Sequence, residues 1–240
     1  MIKETINKLH SELPSTVRLV AVSKFHPFEA IEEAYAAGQR IFAESRPQEL
    51  LAKVNRLEQI RDERGEPDYM SDIQWHFIGH LQTNKLKMVL PYVSLVQSVD
   101  SVRLLDAIQN WGASNNKVIP VLLEPHVAAE ESKQGFTSEE IYSIIDKVHG
   151  GFPVTTTEQA YPNISFRGIM GMATFTDDET LIRSDFARLR EIYDTCRSRF
   201  NTLGEDFTEL SIGMSDDYPI AIEYGSTIVR IGSMIFGQRH

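Results

Sequence analysis

The segment Val17-Arg18-Leu19-Val20-Ala21-Val22-Ser23-Lys24 is a short apolar run, rich in valine, that ends in a lysine. Such a run predicts a β-strand that is buried on both faces, as the strands of parallel sheets are. Phe25-His26-Pro27 follows and predicts the start of a helix, because proline favours the first helical turn. Lys24 then lies at the carboxyl end of a buried strand, which is where α/β barrels and open α/β sheets bind their ligands.

Lys24 has two interpretations. A lysine amine at such a position forms a Schiff base with an aldehyde when burial or neighbouring charges lower its pKa. The alternative is a solvated lysine that merely follows a strand. For a lysine taken alone the alternative is the more common case, because lysine is rarely buried. The rest of the chain has to decide between the two.

The composition bounds the class of protein. The chain has 240 residues, of which 42% are hydrophobic, and this suits one large α/β domain or two small ones. A net charge of −10 argues against nucleic-acid binding, which needs a basic surface. The single cysteine, Cys196, allows neither an internal disulfide nor a cysteine-pair metal site, and its helical surroundings predict a half-buried structural thiol.

Neither a signal peptide nor a membrane span is predicted. Residues 1–15 alternate charged and apolar positions, which predicts a surface helix. No apolar run approaches the roughly 18 residues that a transmembrane helix needs. We therefore expect a cytoplasmic protein that binds no membrane.

Strand-like and helix-like segments alternate along the chain. Strands are predicted at 17–24, 40–45, 74–79, 93–98, 117–123, 166–172, 208–213 and 226–232. Helices are predicted at 27–37, 47–60, 102–110, 139–148, 179–200 and 216–224. Asp100 or Ser101 is expected to cap the third of these helices. Polar loops are predicted at 61–72, 125–136 and 176–180, of which the last two should lie over the active face.

Eight strands with intervening helices, in a chain of 240 residues, predict a single-domain (β/α)8 barrel, or TIM barrel, that spans 1–240. An open doubly wound sheet is the structural alternative. The dinucleotide-binding version of that alternative is weakened, since no Gly-x-Gly-x-x-Gly follows the first strand.

Two turns have the composition of anion-binding loops. The seventh predicted strand ends in Gly213-Met214-Ser215, and the eighth ends in Arg230-Ile231-Gly232-Ser233. Barrels frequently bind phosphate with the loops after strands seven and eight. Serine and glycine also populate ordinary turns, so either turn alone is better explained as a simple loop.

Closure of a barrel makes strands one and eight neighbours, which places Lys24 beside the second turn. A reactive amine, a phosphate site and the cation of Arg230 on one rim indicate pyridoxal 5'-phosphate (PLP). In this hypothesis Lys24 holds the aldehyde, while Arg230 faces the ring nitrogen. Ser215, Gly232 and Ser233 hold the phosphate.

At these residues the chain resembles the pyridoxal phosphate homeostasis protein family, which is related to the barrel domain of alanine racemase. The matching stretches are AVSK at 21–24, WHFIGHLQTNK at 75–85, VQSVD at 96–100, EESKQG at 130–135, RGIMGM at 167–172, LSIGMSDD at 210–217, GSTIVRIG at 225–232 and IFG at 235–237. Each is weak alone, and together, in order, they are highly specific. The resemblance implies a single barrel with PLP on Lys24, and it adds Ser211 and Met214 near the cofactor.

The sequence departs from the family pattern at three places. Ser45 replaces an asparagine that lies near the cofactor; it keeps a hydroxyl but loses the reach of the amide, and it stays among the candidate cofactor residues. Glu124-Pro125-His126 replaces an asparagine-containing turn, and Ser233 replaces a common threonine while preserving the hydroxyl.

Three further residues have a functional and a structural interpretation. His76 and His80 could lie near the site, but a hydrogen-bonded structural histidine is the better explanation for each. Lys133 could take up cofactor transiently, but a solvated loop lysine is the better explanation. No residue is assigned a catalytic role and no metal site is predicted.

Two functions compete: a non-enzymatic PLP carrier and a small PLP-dependent amino-acid racemase. Racemisation needs a base on each face of the substrate. In the racemases of this fold, an extra β-domain and a partner subunit serve the second face, and the chain ends at His240 without that domain. We therefore expect a carrier, a monomer or weak dimer, with PLP-dependent apoenzymes as candidate recipients.

Overall fold

The computed structural model describes residues 1–127, 135–149, 160–199 and 207–237. Within these residues, eight parallel strands close into a barrel in sequence order. The strands are β1 (Arg18–Val22), β2 (Ile41–Glu44), β3 (Gln74–Phe77), β4 (Val93–Val99), β5 (Ile119–Leu123), β6 (Ile164–Met170), β7 (Glu209–Ser211) and β8 (Ile228–Ile231). Pairing of β1 with β8, with Leu19 opposite Val229, closes the barrel. The predicted (β/α)8 fold is confirmed.

Helices surround the strands. They are α1 (Ile2–Glu12), α2 (Phe28–Ala36), α3 (Pro47–Arg64), α4 (Leu86–Val89), α5 (Val102–Asn115), α6 (Ser138–His149), α7 (Glu179–Arg199), α8 (Tyr218–Glu223) and α9 (Ser233–Phe236). A 3-10 turn, Thr83–Lys85, precedes α4. The predicted N-terminal surface helix is α1, which buries Ile6 and Leu9 against the rest of the molecule.

The strands alternate between two apolar environments. Inward-facing side chains form one cluster inside the barrel: Val20, Val22, Ala43, Leu95, Leu122, Met170 and Ile228. Outward-facing residues such as Ala21, Phe42 and Val229 belong to a larger cluster with the helices. β1 is buried from Leu19 to Val22, which confirms that it is covered on both faces. This alternation decides which residues beyond each strand project into the mouth of the barrel.

Several boundaries differ from the predicted ones. β1 ends at Val22, so Lys24 lies in the turn after the strand and is not its last residue. β2 likewise ends before Ser45. These strands stop early because the chain must leave the sheet for the following helix.

The predicted loop at 61–72 is wrong in its first four residues, because α3 continues to Arg64. Arginine and glutamate favour helices, so this charged run is an exposed helix end. Gly65, with a φ of 65°, terminates α3 in the left-handed conformation that glycine adopts most easily. Ser101 is the N-cap of α5, where its hydroxyl accepts a hydrogen bond from Leu104 N–H at 3.3 Å.

Candidate cofactor-binding site

A cavity of about 660 Å³ opens at the carboxyl ends of the strands. Most of its lining comes from the ends of β1, β6, β7 and β8 and from the loops that follow them, and Ile78 after β3 also contributes. Six of the predicted cofactor residues share this lining: Lys24, Met214, Ser215, Arg230, Gly232 and Ser233. Closure of the barrel between β1 and β8 is what brings these distant parts of the chain together.

Strand alternation places Lys24 at the cavity. Val20 and Val22 face into the barrel, and the same alternation carries the half-buried Lys24 inward, two residues beyond Val22. The next residue, Phe25, has a φ of 69°. A non-glycine residue in that region is uncommon. The turn that presents Lys24 must therefore be held in place by its surroundings.

The two predicted turns meet at this cavity. Gly213 has a φ of 94°, and a Cβ there would lie 2.6 Å from a side-chain carbon of α8, so this position requires glycine. Met214 N–H donates to Asp217 Oδ1 at 2.6 Å and closes the turn after β7. Gly232 N–H donates to Ser215 Oγ at 3.4 Å, which links the turn after β8 to it. The two turns are neighbours, as predicted.

Arg230 lies at the floor of the cavity and is held by three hydrogen bonds. Its Nη1 donates to the carbonyl oxygen and to Oγ of Ser211, both at 2.7 Å. Its Nη2 donates to the carbonyl oxygen of Gly171 at 2.9 Å. Burial lowers the pKa of Arg230 to about 10, and the carboxylates of Glu124 and Asp217 oppose that shift. The guanidinium is therefore a fixed cation at neutral pH.

A ladder of hydrogen bonds crosses the barrel interior and ends at Arg230. Ser211 Oγ donates to Gln97 Oε1 at 2.7 Å. Gln97 Nε2 in turn donates to His76 Nδ1 at 2.8 Å. Burial lowers the pKa of His76 to about 3, so its ring is neutral and Nδ1 can accept this bond. His76 is thus a structural histidine, and this interior ladder (His76, Gln97, Ser211, Arg230) orients the guanidinium.

Two predicted cofactor residues do not line the cavity. Ser211 is completely buried, and its hydroxyl is used in the interior ladder. Ser45 follows β2 but is not part of the cavity lining, and its backbone packs against Gly79. A Cβ at Gly79 would come within 2.1 Å of the Ser45 carbonyl oxygen. Direct contact of either serine with a cofactor stays a prediction.

A second group of ionisable side chains lies near the mouth, outside the cavity lining. His80 Nδ1 lies 2.8 Å from Asp100 Oδ2. Burial raises the pKa of Glu124 to about 7; the negative charge of Asp100 adds to this, and Arg230 and His80 oppose it. The position of Glu124 directly after the apolar strand β5 was the sequence signal for its burial. Lys133 lies outside the described residues.

The described residues offer no candidate for a metal site or for a membrane-spanning helix. These residues contain no cluster of three or more histidine, cysteine, aspartate or glutamate side chains that could hold a metal ion. None of the helices described is both long and apolar enough to cross a membrane. Cys196 is completely buried, not half-buried as predicted, because it lies on the buried face of α7 within the larger apolar cluster. Burial raises the pKa of its thiol to about 12.

The chemistry of the cavity fits PLP. Lys24 offers an amine, Ser215 and Ser233 offer hydroxyl groups, and Arg230 offers a buried cation. At Gly232 the backbone approaches β1 closely, because a Cβ there would lie 3.2 Å from the Val22 carbonyl oxygen. Glycine at this point lets the turn after β8 pack closely against β1. The volume is also within the range of roughly 300–1,000 Å³ typical of small-molecule sites.

Comparison with known proteins identifies the family. Residues 1–240 match the family model of the alanine racemase N-terminal domain. A pyridoxal phosphate homeostasis protein from Aquifex aeolicus is 36% identical over 92% of this chain and 87% of its own length. The pyridoxal phosphate homeostasis protein of Homo sapiens is 35% identical over 99% of this chain and 82% of its own length. The chain belongs to the pyridoxal phosphate homeostasis protein family.

A solved structure supports the same assignment. PipY from Synechococcus elongatus PCC7942, determined with PLP bound, superposes with a TM-score of 0.82 at 30% sequence identity. The match covers 99% of this chain and 100% of PipY. The predicted family resemblance and the barrel fold are both confirmed.

Proposed function

We propose that this protein binds PLP, holds it as a Schiff base on Lys24, and acts in PLP homeostasis by supplying or buffering the cofactor. The observation that carries the proposal is the presence of Lys24, Ser215 and Ser233 in the lining of one cavity. The homeostasis role rests on the relatives from Aquifex aeolicus and Homo sapiens, which carry that name, and on PipY, solved with PLP bound.

Each lining residue has a distinct role in this proposal. PLP supplies an aldehyde that condenses with a primary amine and releases water, and Lys24 provides that amine. Ser215 and Ser233 donate their hydroxyl groups to the phosphate, and Gly232 donates its backbone N–H. Bonds of this kind to an ionised acceptor are about twice as strong as neutral ones. Met214, which also lines the cavity, would lie near the cofactor.

Arg230 favours storage over catalysis. Its pKa of about 10 keeps the guanidinium protonated at neutral pH, so it donates a hydrogen bond to the ring nitrogen without giving up a proton. An unprotonated ring is a weaker electron sink than one that faces an acidic side chain. Ser211 holds the guanidinium in this orientation. We therefore propose a carrier without enzymatic turnover, whose recipients are PLP-dependent apoenzymes.

Absorbance spectra of the purified protein test the proposal. With PLP, the wild-type protein should show a visible band that borohydride removes. Lys24→Ala should lack the band while its circular dichroism stays that of the wild type. Lys87→Ala is the matched control, because Lys87 is an exposed lysine on α4, and it should keep the band. A Lys24→Ala protein with an unchanged, reducible band contradicts the assignment.

A further inference from the structure

A buried polar cluster lies on the outer side of the barrel wall, directly behind Lys24. It joins Ser23 and Phe25 to three charged side chains, Glu44 on β2 and Glu49 and Lys53 on α3. Ser23 and Glu44 alternate with inward-facing residues of β1 and β2 and therefore face α3. We name Glu44, Glu49 and Lys53 the Lys24 clamp.

The clamp fixes the residue before Lys24. Lys53 Nζ donates to the Ser23 carbonyl oxygen at 2.8 Å and to Glu44 Oε1 at 2.6 Å. Ser23 Oγ also donates to Glu44 Oε1 at 2.6 Å. Both the backbone and the side chain of Ser23 are therefore tied to the clamp.

The clamp also fixes the residue after Lys24. Phe25 N–H donates to Glu49 Oε1, and Lys53 Nζ donates to the same oxygen at 3.2 Å. Phe25 is the residue with the left-handed φ of 69°. The hydrogen bond that Glu49 accepts thus holds the strained conformation that directs the chain from Lys24 towards α2.

Stability of the fold is a poor explanation for this cluster. The Lys53 and Glu44 side chains are 6% and 0% exposed, and burial raises the pKa of Glu44. Among the described residues, Glu44 Oε2 is a buried side-chain oxygen without a hydrogen-bond partner. A buried ion pair of this kind is often no more stabilising than well-packed apolar residues of the same volume. Its bonds to both neighbours of Lys24 indicate a role in placing that residue.

We infer that Glu44, Glu49 and Lys53 are positioning residues, which hold the 23–25 backbone so that the Lys24 amine projects into the cavity. This inference rests on the proposed function, because it requires Lys24 to be the amine that reacts. The clamp lies on the far side of β1 and β2 from the phosphate turns, which follow β7 and β8. Loss of the clamp should therefore slow bond formation and leave phosphate binding unchanged.

Stopped-flow measurement of the visible band at increasing PLP concentrations separates these two effects. The half-saturating concentration reports capture of PLP, and the maximal rate reports attack by Lys24. Glu49→Ala should lower the maximal rate by roughly ten- to a hundredfold, since a misplacement near 1 Å can have that effect. It should leave the half-saturating concentration within about twofold. Glu49→Gln, which can still accept from Phe25 N–H, should restore most of the rate.

Arg18→Met is the matched control for general destabilisation. Arg18 pairs with Glu209 at the opposite end of the barrel, so the variant also breaks an ion pair but leaves the turn at Lys24 intact. It should lower the melting temperature without changing the maximal rate. A second variant, Glu44→Gln with Lys53→Met, removes both buried charges together and tests the clamp if Glu49→Ala does not fold.

The possible results separate the clamp from the proposed function. A wild-type rate in Glu49→Ala, or in the double variant if Glu49→Ala does not fold, overturns the positioning role and leaves the proposed function standing. An equal loss of rate in Arg18→Met also overturns it, because stability alone would then explain the effect. A wild-type protein that forms no borohydride-reducible bond overturns the proposed function and the inference together.

Discussion

Replacement of both hydroxyl residues of the phosphate turns should weaken PLP binding without weakening pyridoxal binding. Ser215 and Ser233 line the cavity, and the bond that Ser215 Oγ accepts within the protein, from Gly232 N–H, is long at 3.4 Å. The double variant Ser215→Ala/Ser233→Ala therefore loses little of the fold. Each hydroxyl bound to a charged phosphate contributes about 1.5–3 kcal/mol. We expect a combined loss of about 3–6 kcal/mol, or roughly 10²- to 10⁴-fold in affinity.

Spectral titration with PLP and with pyridoxal, which lacks the phosphate, measures this loss. The variant should bind PLP more weakly than the wild type by about this factor, and its affinity for pyridoxal should equal that of the wild type. Ser114→Ala/Ser198→Ala is the matched control, since both serines are exposed on helices α5 and α7 and bond only to their own helix backbone. Equal losses for the two ligands refute a phosphate role for these residues.

Gln97→Leu should lower the free energy of unfolding by about 2–5 kcal/mol, because it leaves the buried Ser211 hydroxyl without its acceptor and His76 Nδ1 without its donor. Urea denaturation measures this, with the exposed Gln59→Leu as control, and a loss below about 1 kcal/mol would contradict the interior ladder. The pKa of His76 is about 3 in the folded state against 6.5 ordinarily, so its contribution to stability is present above pH 6.5 and is lost as the pH falls towards 3. By pH 5 the free energy of unfolding should have fallen by about 2 kcal/mol more in the wild type than in His76→Gln. Parallel pH profiles of the two proteins would show that His76 does not titrate in this way. A chiral assay with alanine should find no turnover near the roughly 10 per second of median enzymes, whereas such a rate, if lost in Lys24→Ala, would show a racemase.

The barrel and most of the cavity could be predicted because their signals are local. Each strand is a short apolar run, and its partners in a closed barrel follow from sequence order alone. Lys24, Ser215 and Ser233 stand at or just beyond strand ends, which a parallel barrel gathers at one mouth. The resemblance to the family added the prediction that Ser211 and Met214 lie near the cofactor.

The polar networks could not be predicted because they depend on the register between distant segments. Gln97 and Ser211 are 114 residues apart, and only the pairing of the strands shows that they meet. Gln97 did carry a signal, as a polar residue at an inward position of an apolar strand. Lys53 also carried a signal, since its spacing from Leu50 and Val54 puts this lysine on the apolar face of α3.

The central claim is that Lys24 is the residue to which PLP is bound. Borohydride reduction of the PLP-loaded protein, followed by peptide mass spectrometry, tests it most directly. We predict a single reduced pyridoxyl adduct, on the peptide that contains Lys24. An adduct on any other lysine in its place, or no adduct at all, would contradict the account.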